Sequence, residues 1–138
     1  MHLGITPWRF NSALSANDLC QQAEQAQAWG FDSFWLPERH FAEQQSLPDP
    51  LLLLAAVAGR TSTLKLATTS YLLPMRNPLL AAEQIAVFEQ LREGRLLPGL
   101  GRGLQRAALV ALARRPSNWV QHWICGYLRL ARRQRTPI

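Results

Sequence analysis

Acidic residues are missing from the end of this chain. Leu104 to Ile138 carries seven arginines and no Asp or Glu, a net of +7, whereas Met1 to Gly103 carries eight Lys/Arg against nine Asp/Glu, a net of −1. The formal +6 of the 138 residues is an average that describes neither part. Function is therefore sought before Leu104, and the basic tail needs its own account. Cysteine is scarce as well. Cys20 and Cys125 stand apart, in no CxxC or metal-like spacing, which argues against a disulfide framework or a metal centre and reads as free thiols in a reducing compartment. Long apolar runs are lacking: the longest, Leu51 to Ala58, is far too short to span a bilayer. Pro7 and Arg9 interrupt the stretch where a signal peptide needs an unbroken apolar segment. These absences predict a soluble, cytoplasmic protein with no membrane partner and no metal. The length suits one domain with a core of its own.

What is present is a steady alternation. Strand-like segments begin at Leu3, Ser33, Leu64 and Arg95, about 31 residues apart, which is the length of one strand-plus-helix unit. Three helices with legible ends lie between them. Ser15 with Asp18 three positions on forms a capping-box-like start, and Gly30 supplies a left-handed stop. Asp49-Pro50 and Asn77-Pro78 each place a capping side chain before a proline at the first helical position, and Gly94 closes the third helix. The pattern predicts an α/β fold with a parallel sheet under helices. Four strands make either half of an eight-stranded barrel or a small open sheet, and spacing alone does not choose. The helix over 50–59 is apolar all round, so both of its faces need cover, from a partner subunit such as a second copy or from further chain.

In parallel α/β folds, sites form at the carboxyl ends of the strands. That rule selects Pro37-Glu38-Arg39-His40-Phe41, Thr68-Thr69-Ser70-Tyr71-Leu72-Leu73-Pro74 and Gly99-Leu100-Gly101-Arg102-Gly103. The last of these lacks the spacing of a dinucleotide loop and follows the fourth strand rather than the first. The run Ala28 to Phe41, then Leu73-Pro74-Met75-Arg76-Asn77-Pro78-Leu79, Ala82-Glu83-Gln84, Gly94-Arg95-Leu96 and Gly101-Arg102-Gly103, resembles the bacterial luciferase-like flavin monooxygenases in order and spacing. The resemblance covers residues 1–105. It implies the first four units of a (β/α)8 barrel, with reduced flavin mononucleotide, or a deazaflavin in sister branches, as cofactor. It also implies oxidation of a small organic substrate, such as an aldehyde or a sulfonate, by O2.

The resemblance carries over residue by residue. His40 matches the second His of a Glu-His-His-Phe pattern, and Arg39 replaces the first, which acts as a base in the luciferases. His40 is the candidate catalytic residue, able to relay a proton near neutral pH; the plainer alternative is a histidine that hydrogen-bonds loop backbone. Thr69 and Ser70 match a pair that lies against the flavin ring through a non-proline cis peptide; the alternative is a strand end chosen for β propensity. Arg102 matches an arginine directed at the flavin, where a guanidinium pairs with phosphate or polarises a ring carbonyl. Pro98 departs from expectation, since a proline inside a central strand removes a ladder donor.

Residues 106–138 lack both family character and periodicity, although Leu104 to Ala113 has helical potential. The leading expectation is a frameshifted or truncated family member whose flavin binding on its own is weak or absent, because barrel enzymes commonly grip phosphate after strands seven and eight. Two alternatives rank lower. One is a half-barrel that works as an oligomerisation module. The other is a nucleic-acid-binding arm built on Arg129, Arg132, Arg133 and Arg135 with Trp119, Trp123 and Tyr127.

Overall fold

A computed structural model of the chain describes residues 1–9, 15–40, 46–91 and 94–103. Phe41, Cys125, the helix expected after Leu104 and the whole basic tail lie outside the described residues. Within them, β1 (Gly4–Ile5), α1 (Ala16–Ala28), β2 (Ser33–Leu36), α2 (Pro50–Arg60), β3 (Lys65–Leu72), α3 (Pro78–Leu91) and β4 (Leu96–Gly101) alternate along the chain. A single 3-10 turn, Leu73–Met75, separates β3 from α3. The four strands form one parallel sheet in the order β1-β2-β3-β4.

The helix ends follow their side chains. Ser15 Oγ accepts from the Asp18 N–H at 3.1 Å, and the Asp18 carboxylate accepts from the Ser15 N–H at 3.3 Å, a reciprocal capping box. Asp49 accepts from the Leu52 N–H at 3.2 Å, and Asn77 accepts from Leu79 N–H at 2.9 Å and Leu80 N–H at 3.3 Å. Gly30 and Gly94 follow α1 and α3 with φ of 83° and 77°, where a side chain would be strained. Between sheet and helices lies one core that includes Phe34, Leu36, Leu66 and Tyr71 from the strands and Leu19, Leu54, Val57, Ile85 and Phe88 from the helices.

The uniformly apolar α2 divides its faces. Leu51, Leu54, Val57 and Ala58 are buried, whereas Leu52 is 71% exposed. Hydrophobic residues also stand out from α3, at Leu79, Leu80, Val87 and Leu91. Among the described residues no helix is long and apolar enough to cross a membrane.

Two strands run further than their sequence predicts. β3 continues through Thr69, Ser70 and Tyr71 to Leu72, so most of the segment expected to be a loop is strand. β4 takes in Gly99, Leu100 and Gly101 in the same way. Pro98 lies within β4, in register with Thr68 on β3. Parallel pairing alternates the direction of backbone groups, and the Leu66 N–H donates to the Arg95 carbonyl at 2.8 Å. That phase turns odd-numbered positions of β4 toward β3, so the missing Pro98 donor falls on the edge of β4 away from β3.

Tyr71 carries a pH dependence. Its ring is buried, and burial above all pushes its hydroxyl up to about 12, with the nearby Arg76 cation opposing the shift. The folded state therefore keeps a proton that the unfolded chain gives up near the ordinary tyrosine value of about 10. Stability from this group is complete below about pH 10 and falls as pH climbs from 10 to 12, by of order 2 kcal/mol in total. Urea unfolding at a series of pH values should show a steeper decline between pH 10 and 12 in the wild-type chain than in Tyr71→Phe.

Candidate active site

Because the strands are parallel, the segments leaving β2, β3 and β4 share one edge of the sheet. A cleft of about 440 Å3 opens there, lined by Glu38, Arg39, Thr69, Ser70, Leu72, Arg102 and Gly103. Its construction starts with the Glu38 side chain, which is fully buried at 0% exposure. A carboxylate in that position needs partners. Oε1 accepts from Arg76 Nη1 at 2.7 Å and faces His40 Nε2 at 2.6 Å, and Oε2 accepts from the Leu72 backbone N–H at 2.8 Å. Arg76 Nη1 also donates to the Leu72 carbonyl at 3.1 Å, and its guanidinium stacks 3.8 Å over the Tyr71 ring. The Tyr71 hydroxyl in turn meets Gln84 Oε1 at 3.1 Å. One carboxylate thus ties the end of β2 to the end of β3 and the start of the α3 connection.

The segment after β2 is held at a second point. Arg39 and Leu47 exchange backbone hydrogen bonds of 2.9 and 2.7 Å, with Leu47 buried beneath. The Arg39 side chain is exposed and lines the cleft. On β3, the Thr69–Ser70 peptide is cis. Thr69 pairs with Gly99 and Tyr71 with Leu100, so Ser70 falls in a register shift without a partner of its own. Gly101 lies opposite: a Cβ there would fall on the Ser70 hydroxyl, so the strands approach this closely only with glycine.

Thr69, Ser70 and Arg102 therefore meet at one cleft. His40 is absent from the residues that line it and is partly buried beside it, with Nε2 2.6 Å from the Glu38 carboxylate. Sequence reasoning had no role for Glu38 or Arg76, although both fall within the motifs. A carboxylate two positions before a strand-end histidine was the available signal. Its cation lies 38 positions away, a distance no local pattern reports. No group of three or more metal-ligating side chains occurs among the described residues.

A family model described as luciferase-like monooxygenase matches residues 3–117. The chain belongs to that family. The alkanal monooxygenase alpha chain of Photorhabdus luminescens is 36% identical over 75 residues, which is 54% of this chain and 21% of that protein. Among solved structures, the oxygenating constituent of 3,6-diketocamphane monooxygenase from Pseudomonas putida, a type II Baeyer-Villiger monooxygenase in complex with FMN, is 29% identical with a TM-score of 0.74, over 81% of this chain and 32% of that one. A monooxygenase from Streptomyces bottropensis is 28% identical with a TM-score of 0.77, over 91% and 40%. This luciferase-like chain spans about a quarter of the length of the curated relatives it matches.

Proposed function

We propose that the chain supplies the ring-facing wall of a reduced-flavin site, serving oxidation of a small organic substrate by O2. The observation that carries the reading is the convergence of Thr69, Ser70 and Arg102 on one cleft, in a chain of this family. The residues fit such a ligand. The cleft volume lies within the range of small-molecule sites. Two small hydroxyl side chains on the cis segment leave backbone open to a flat ring, and Arg39 and Arg102 bring positive charge for phosphate or ring oxygens. A bound reduced flavin supplies the electrons that O2 requires. Of the chain's own residues, Thr69 and Ser70 support the ring face, Arg102 pairs with an anionic oxygen, and His40 gives or takes a proton. A second reading, a contact between two copies through α2 and α3, draws support from exposed Leu52, Leu79, Leu80, Val87 and Leu91.

Titrating the chain with oxidised flavin mononucleotide and following flavin fluorescence tests the main reading. The described residues build one wall only, so the expected dissociation constant lies above about 1 μM, weaker than about −8 kcal/mol. Arg102→Ala should weaken it about tenfold, the loss of one charge-assisted hydrogen bond. Binding indifferent to Arg102→Ala removes that residue from the site. A deazaflavin titrated in parallel decides between the two cofactors.

A further inference from the structure

We propose that Glu38 is a positioning residue that holds the His40 imidazole in one orientation and one tautomer, with the ring proton on Nε2. Only the use made of His40 rests on the flavin reading; the geometry stands apart from it. A carboxylate accepts hydrogen bonds and donates none. With Glu38 Oε1 2.6 Å from His40 Nε2, the neutral ring must present an N–H at that contact, which assigns the lone pair to Nδ1.

The carboxylate is itself immobilised. Its side chain is fully buried, its other oxygen takes the Leu72 N–H, and Arg76 supplies a countercharge at 2.7 Å. The arrangement is one in which a fixed anion orients an imidazole, the general logic of a carboxylate behind a histidine base. It also sets where the ring sits. His40 belongs to the segment after β2, yet its anchor is bonded to Leu72 at the end of β3, the strand that carries Thr69 and Ser70. The ring is thereby registered against β3 through Glu38.

The test uses the full chain without flavin. Long-range proton–nitrogen spectra distinguish protonated from bare ring nitrogens, and His40→Gln assigns the signal among the three histidines. Spectra are recorded at a series of rising pH values and read where the ring signals stop moving, so that the neutral ring is observed. The wild-type chain should show His40 as a single tautomer, with Nε2 protonated and Nδ1 bare. In Glu38→Leu, which removes the carboxylate at this contact, the two nitrogen signals should move toward each other as the tautomers mix. A proton on Nδ1 in the wild type, or an unchanged separation in a folded Glu38→Leu, overturns the proposal. If Glu38→Leu does not fold, the wild-type spectrum alone decides, since a mixed or Nδ1-protonated ring defeats the assignment. Repeating the spectra with flavin mononucleotide separates the two ideas: amides along the cleft that ignore the flavin sink the flavin reading while leaving the tautomer result intact.

Discussion

Replacing Arg76 by alanine is expected to cost the fold about 3–5 kcal/mol. The size follows from what the change leaves behind. Glu38 has 0% side-chain exposure and Arg76 only 16%, so removing the cation leaves a buried carboxylate without its countercharge. The Leu72 N–H and His40 contacts remain, but neither carries a permanent charge. The stack of the guanidinium on Tyr71 is lost as well. Urea unfolding checks the value, and the surface pair Glu24–Arg60 provides the contrast. Those side chains are 36% and 47% exposed, so Arg60→Ala should cost far less than Arg76→Ala. If the two substitutions cost the same, the Glu38 network is solvated and does not organise the site.

Phe34→Ala should produce a loss of similar size, about 3–5 kcal/mol, by a different cause. Phe34 is completely buried at the centre of the sheet, in register with Ile5 on β1 and Leu66 on β3. Truncation removes a large apolar side chain and leaves a cavity that strands on both sides prevent from collapsing. The unfolding midpoint should fall with little change in slope, as for a stability loss without a change in exposed surface. Leu52→Ala is the matched control on the outer face of α2 and should stay within about 0.5 kcal/mol. A large loss at Leu52 means that this face is covered in solution, which favours the contact between two copies.

Much of this architecture was legible because it is local. Ser15 with Asp18, Asp49 with Pro50 and Asn77 with Pro78 state where helices begin, and each cap forms as its residue types dictate. The interval between strands gives parallel order because a crossover needs about that much chain. Strand ends were less legible. Small hydroxyl and glycine residues over 69–71 and 99–101 imitate loop composition, yet both stretches pair, with the mismatch absorbed at Ser70. In the site, the family resemblance brought Thr69, Ser70 and Arg102 to attention, and the sheet gathers them at one edge. The Glu38–Arg76 pair escaped notice because a carboxylate and a cation 38 positions apart become partners only through the fold.

The central claim is that the carboxyl edge of β2, β3 and β4 faces the flavin. The most direct measurement is an amide map of the nitrogen-15-labelled chain during titration with oxidised flavin mononucleotide. The account predicts shifts at Thr69, Ser70, Leu72, Arg102 and Gly103, with Lys65 and Arg95 at the opposite edge left unmoved. Shifts confined to that opposite edge, or to the basic residues after Leu104, would contradict it.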